Sequence, residues 1–146
     1  MANYVCTVRT NYFHVKDAET FRAVMEKVQG SEDNIKLWEE KDPDGNPVFG
    51  FGCDGGIAGI PEVDEDGEEE ITDNSYDNFL FELQNAVAEN DAIIITEVGH
   101  EKQRYVVGTA VIITQQEIAC ISITDLALQK AREMLNNPLF KSRMDY

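Results

Sequence analysis

The stretch Asn3-Tyr-Val-Cys-Thr-Val-Arg-Thr-Asn-Tyr-Phe-His-Val15, followed by Asp17 and then by Phe21, Val24, Met25 and Val28, decides the fold class. β-Branched and aromatic residues dominate positions 3–15, which predicts a long strand. Asp17 is a good helix N-cap, and the apolar residues after it fall at i, i+3, i+4 and i+7, one face of an α-helix. Gly30 is expected to stop that helix in the left-handed conformation. A strand feeding an amphipathic helix in this way opens an α+β chain.

The same two periods alternate to the end. Ile35, Leu37 and Glu39 alternate with Lys36, Trp38 and Glu40 in a second strand, and Val48–Cys53 returns from it. Between them, Asp42-Pro-Asp-Gly-Asn-Pro47 is a turn, because proline fixes φ while glycine and asparagine tolerate positive φ. Residues 54–60 are glycine-rich and irregular, and residues 61–77 hold nine acids with little to bury, so an exposed, mobile acidic loop is expected. Ser75 or Asp77 should cap a second helix whose Phe79, Leu80, Leu83 and Val87 share a face. Three strands follow, Ala92–Val98, Arg104–Thr114 and Ile118–Ile123, with turns at 99–103 and 114–117. Thr124 or Ser122 should cap a third helix carrying Leu128, Ala131 and Leu135 on one stripe, ending at Asn136-Asn137-Pro138.

The expected architecture over 1–146 is one α+β domain with an antiparallel or mixed sheet and helices on one face. Its first six elements follow the ferredoxin-like β-α-β-β-α-β order, with an added β-hairpin and helix. That order is shared by unrelated chains and carries no function by itself.

Charge is segregated along the chain. From Asp42 to Glu101 there are 17 Asp and Glu and no Lys or Arg, while the remainder holds 11 acids and 12 bases, which together give the net −16. A one-signed field of this kind repels nucleic acid and anionic membrane and attracts a basic protein surface or cations. No run of about 18 apolar residues exists to span a membrane. Cys6, Cys53 and Cys120 are odd in number, widely spaced and set in apolar runs, which excludes a disulfide framework or zinc knuckle and predicts reduced core thiols. Without a basic and then apolar leader at Met1-Ala-Asn-Tyr-Val-Cys6, a cytoplasmic location is expected.

The chemical motifs are fragments. Gly50, Gly52, Gly55, Gly56 and Gly59 lack the Gly-Lys-Ser/Thr and following helix of a phosphate loop, and a dense anionic tract follows them. Asp42-x-Asp44-Gly45 and Asp64-x-Asp66-Gly67 resemble fragments of calcium loops, but an EF-hand needs carboxylates at positions 1, 3 and 5, Gly at 6 and Glu at 12, and here glycine falls directly after the second Asp. His14 reads as a half-buried strand residue, His100 as a solvated turn residue and Trp38 as sheet packing. No nucleophile-elbow or paired-histidine motif is present, so no catalytic residue, metal site or cofactor is expected.

The acidic tract is the remaining candidate site: Glu62, Asp64, Glu65, Asp66, Glu68, Glu69, Glu70 and Asp73. Closely spaced carboxylates can present a field like a nucleic-acid backbone and occupy a basic groove of a nucleic-acid-handling protein. The stretch Asp91-Ala-Ile-Ile-Ile-Thr-Glu-Val-Gly-His-Glu-Lys-Gln-Arg-Tyr-Val-Val-Gly108, with the ending Ser142-Arg-Met-Asp-Tyr146, resembles small acidic proteins of unknown function carried on gut-bacterial mobile elements. The resemblance supplies no catalytic residues. It implies a neighbourhood that includes antirestriction and anti-CRISPR inhibitors, some of them DNA mimics. The expectation is a non-enzymatic acidic interaction protein that binds a basic macromolecular surface, with a host defence nuclease as the leading partner. The alternative is a small ligand-binding domain or enzyme with its pocket at the glycine-rich segment 50–59, where polar groups such as His14 or Asp54 would converge.

Overall fold

The computed structural model describes residues 4–103 and 105–142; residues 1–3, Arg104 and residues 143–146, which enter the readings above, lie outside the described residues. Strand β1 (Val5–Thr10) buries Cys6, Val8 and Thr10 and exposes Val5, Thr7 and Arg9, the period-2 pattern of a strand with one face on a core. The strand is shorter than its composition suggests. At Asn11 the side-chain amide takes over the ladder, donating to the Ala92 carbonyl (3.0 Å) and accepting from the Ile94 N–H (2.8 Å). The backbone is thereby free to step away, and it pairs again only at the isolated bridges Phe13–Phe49 and Val15–Val87.

Helix α1 (Ala18–Lys27) starts where Asp17 accepts from the Thr20 N–H (3.1 Å) and buries Phe21, Val24 and Met25. Gly30 does not stop it. The C-cap is Val28 in extended conformation, and Gly30 sits in a two-residue strand, β2 (Gln29–Gly30). A Cβ on Gly30 would lie 1.9 Å from the Asp33 carbonyl oxygen, so close backbone approach is what requires glycine here. The hairpin β3 (Lys36–Lys41) and β4 (Pro47–Asp54) follows, and then β5 (Ile57–Gly59), which pairs with β2 inside the segment expected to be irregular. Two short strands, β6 (Glu62–Val63) and β7 (Glu69–Glu70), precede helix α2 (Ser75–Ala86), whose N-cap is Asn74 rather than Ser75 or Asp77. Strands β8 (Ile93–Glu101), β9 (Tyr105–Ile113) and β10 (Ile118–Ser122) and helix α3 (Ile123–Leu135) complete the chain. His100 therefore lies within β8, exposed, and the turn shrinks toward Lys102 and Gln103.

The fold is α+β: six strands form one sheet in the order β10-β9-β8-β1-β4-β3, with every pairing antiparallel. On one face, helices α1 and α2 cover an apolar core in which Phe13, Phe21, Phe49, Phe51 and Phe79 are fully buried. Their rings meet mostly edge-on, with Phe13–Phe21 centroids 5.5 Å apart and Phe51–Phe79 centroids 5.6 Å apart, the arrangement the ring quadrupole favours.

Helix α3 departs from the expectation of helices on one face. It begins directly after β10, and the Ile123 side chain lies where a Cβ on Gly108 would project, 2.6 Å from its Cδ1. Gly108 pairs with the outward-facing Val98, so α3 starts on the face opposite α1 and α2. The predicted stripe is not a core stripe: no α3 residue is buried, and Leu135 is exposed.

Candidate functional site

The acidic tract is a folded hairpin. Strands β6 and β7 pair Glu62 with Glu70 and Val63 with Glu69, and the turn between them is built by Asp64. One Asp64 carboxylate oxygen accepts from the N–H groups of Asp66 and Glu68, both at 2.9 Å. The Asp64 N–H donates to the Glu68 carbonyl (2.8 Å), and Gly67 holds φ +81°. The turn between β3 and β4 repeats this arrangement. Asp42 accepts from the N–H groups of Asp44 and Asn46 at 2.9 Å each, its own N–H donates to the Asn46 carbonyl, and Gly45 holds φ +84°. The two Asp-x-Asp-Gly stretches are therefore one turn design used twice, with the first carboxylate satisfying backbone donors. Among the described residues, no group of three or more His, Cys, Asp or Glu side chains is placed to hold a metal ion.

Asp64, Glu65, Asp66, Glu68, Glu69, Glu70 and Asp73 are all exposed. Glu62 is half-buried and accepts from the Thr72 hydroxyl and the Asn74 amide, and these bonds, the Thr72 one foremost, hold its carboxyl below the usual range. It clasps the start of α2 and is less available to a partner than the other seven. Among the described residues, no ion pair reaches the hairpin: the pairs that form use His14, Arg22 and Lys130. The hairpin carboxylates thus face solvent with their charge uncompensated by near neighbours.

Segment 50–59 divides between two faces. Gly50 and Gly52 lie in β4, where ring atoms of Tyr12 and Trp38 come to 3.3 Å from their would-be Cβ positions on the outward face. Arg9 lies over the Trp38 ring at 4.1 Å from its centroid, a cation–π contact. Gly56 and Ile57 instead roof an open groove of about 400 Å³ on the helix side, lined also by Val8, Tyr76, Glu97 and Cys120. Glu97 accepts from the Tyr4 hydroxyl at 3.0 Å, and burial, assisted by that bond, pushes the Tyr4 phenol up to about 12. Burial and then Glu97 raise Tyr76 and Cys6 in the same sense. Neither His14 nor Asp54 lines the groove; Asp54 accepts from the Thr7 hydroxyl. Cys6 and Cys53 are buried as expected of core thiols, whereas Cys120, which shares the α1 and α2 side of the sheet with Val111, is exposed at the edge strand.

His14 is engaged at both ring nitrogens, by Asp42 at 2.7 Å and by Asp91 at 2.9 Å. With a carboxylate on each side, both ring nitrogens are engaged, and the cluster clamps the segments at 14, 42 and 91 together. No periodicity or motif links positions 14, 42 and 91, and the sequence carries no signal that would have found this cluster. Comparison with known proteins leaves the geometry to speak alone: no family model, curated protein or solved structure matches the chain.

Proposed function

We propose that this chain is an acidic interaction protein whose β6–β7 hairpin docks onto a basic macromolecular surface. The observation that carries the reading is the hairpin itself: six exposed carboxylates on an ordered element, with Asp73 just beyond it, none in an ion pair among the described residues. An ordered anionic array loses less conformational freedom on binding than a disordered one, and its field draws in a cationic groove from a distance. Carboxylates spaced along a short hairpin suit a groove that otherwise holds a phosphate backbone, which supports a DNA-mimic inhibitor of a host defence nuclease as the specific form of this function. The four strands β8-β1-β4-β3, with α1 and α2 as crossovers, support a ferredoxin-like reading of the core, which β9 and β10 extend at one edge.

The test is competition against duplex DNA for the basic grooves of restriction and CRISPR effector nucleases at low salt. The expected result is inhibition of at least one nuclease, relieved by added DNA and by salt. Failure to inhibit or bind any of them at low salt would remove the mimic form. A second reading, a small-ligand domain, rests on the groove under Gly56 and Ile57. It predicts thermal stabilisation by a compound that contacts Tyr76 and Glu97.

A further inference from the structure

The core-facing row of β8 runs Ile93, Ile95, Glu97, Gly99, and all but Glu97 are buried. Glu97 is half-buried, a carboxylate at a position where the strand's period calls for an apolar side chain, and it pairs across the sheet with buried Val8 and with Thr109. Taking a charge out of water costs free energy that a cationic partner ordinarily offsets. Among the described residues no Lys, Arg or His pairs with Glu97, since the ion pairs there use Asp42, Asp91, Glu39 and Glu133. Its partner is neutral, the Tyr4 hydroxyl, which donates to Oε2 at 3.0 Å. That bond depends on Gly99: a Cβ there would sit 2.4 Å from the Tyr4 hydroxyl oxygen, so glycine is what lets the phenol cross the strand to the carboxylate.

Glu97 lines the groove of about 400 Å³ beneath Gly56 and Ile57, a size within the roughly 300–1,000 Å³ of small-molecule sites. Ile57, Ile95, Val111 and Tyr76 supply apolar wall, and the lining holds no Lys, Arg or His. Burial and then Glu97 raise the Tyr76 phenol and the Cys6 thiol, with Asp77 and Glu32 adding to the same effect, so the charges that act on these two groups are all negative. We propose that this groove binds a small organic cation, its ammonium paired with Glu97 and its apolar body set against Ile57, Ile95 and Val111. The assignment deepens the small-ligand reading of the groove and rests on it. Charge selects the class. An ammonium supplies the counter-ion that the fold withholds from Glu97, through charge-assisted hydrogen bonds, and the Tyr76 ring attracts a cation as well. A carboxylate or phosphate would meet Glu97 with like charge. A bare metal ion takes several oxygen ligands, and no group of three His, Cys, Asp or Glu among the described residues is placed to offer them. The apolar walls stabilise an organic body, which a hydrated inorganic ion lacks.

Calorimetry and thiol protection on the full chain test this with three probes of similar shape: phenethylamine, phenethyl alcohol and phenylpropanoate. The amine should bind about tenfold more tightly than the alcohol, the excess of a charged over a neutral hydrogen bond, and the carboxylate should bind least. Glu97→Gln keeps the size of the side chain and should reduce the amine to the affinity of the alcohol. Cys120 lines the groove and is exposed, while Cys6 and Cys53 are buried, so it reports the place: the amine should slow its reaction with N-ethylmaleimide. The probe series on the wild type decides the class even where Glu97→Gln fails to fold. An alcohol or carboxylate that binds as well as the amine, or an amine preference that outlives Glu97→Gln, overturns the cation assignment and leaves the small-ligand reading standing. Binding by none of the three into the millimolar range, or binding that leaves Cys120 reacting at its free rate, overturns both.

Discussion

His14 and Asp42, far apart in sequence, are joined by a 2.7 Å bond between Nε2 and Oδ2, and the opposite ring nitrogen holds Asp91 at 2.9 Å. This clamp ties the segment after β1 to the β3–β4 turn and to the chain entering β8. Between two ionised carboxylates the clamp favours the protonated imidazole, in which both ring nitrogens donate. The Asp42 bond and then the Asp91 bond raise His14 above its ordinary value, while the His14 ring and then the Asn46 N–H hold Asp42 below the usual carboxylate range. Burial pushes Asp91 the other way, but the N–H and ring of His14 outweigh it and leave that carboxyl lowered too.

The signs define a pH window. A raised histidine stabilises fully below its ordinary value, about 6.5, and loses that contribution as pH climbs through the raised value. Lowered carboxylates stabilise above their ordinary value, about 3.9, and lose that contribution as pH falls. Thermal melts of the wild type and His14→Gln should therefore differ most between about pH 4.5 and 6.5 and converge on the alkaline side. A difference that stays constant to pH 9 would mean the imidazolium contributes nothing. Because His14 is half-exposed, the effect should be a modest shift in Tm.

Leu83 is fully buried on the sheet-facing side of α2, in the core with Phe79 and Ile113. Leu83→Ala should cost about 2–5 kcal/mol, a large share of a typical stability of about 5–15 kcal/mol. Urea unfolding measures it, and a loss below about 1 kcal/mol would mean the core collapses around the missing atoms or never depended on them.

Asp64→Ala removes the acceptor for two backbone N–H groups in the hairpin turn. The lost bonds are worth about 1–2 kcal/mol of local opening, so a Glu-specific protease should cut within 65–70 about tenfold faster. Asp64→Asn keeps the acceptor oxygen while removing the charge, and it should resist like the wild type. Equal cleavage of all three proteins would show that the turn bonds do not hold the tract.

The elements that were legible in the sequence are those whose periodicity reports burial. The i, i+3, i+4, i+7 pattern of Phe21, Val24, Met25 and Val28 and the face of Phe79, Leu80 and Leu83 located α1 and α2 because those residues do face the core. The same reading of Leu128, Ala131 and Leu135 finds the helix, but its stripe does not report burial, since amphipathicity alone does not say what a helix face packs against. Asn11 hid the end of β1, because an amide side chain that imitates a backbone partner leaves no compositional break. Nine acids in residues 61–77 masked a hairpin, since charge argued for solvent exposure while the Asp64-x-Asp66-Gly67 turn, already met at Asp42, argued for order. The His14 clamp is a product of topology alone.

The most direct test of the interaction surface is neutralisation of its charge at constant shape. Glu68→Gln/Glu69→Gln/Glu70→Gln keeps size and polarity on three exposed positions in and beside β7. Binding kinetics to a captured basic partner should show an association rate that falls with salt, as the Debye length drops from about 30 Å at 0.01 M to about 10 Å at 0.1 M. The triple variant should associate more slowly at low salt, lose most of that salt dependence, and melt at the same temperature as the wild type or slightly above it. A partner held equally well by the neutralised protein, at low and at high salt, would contradict the account.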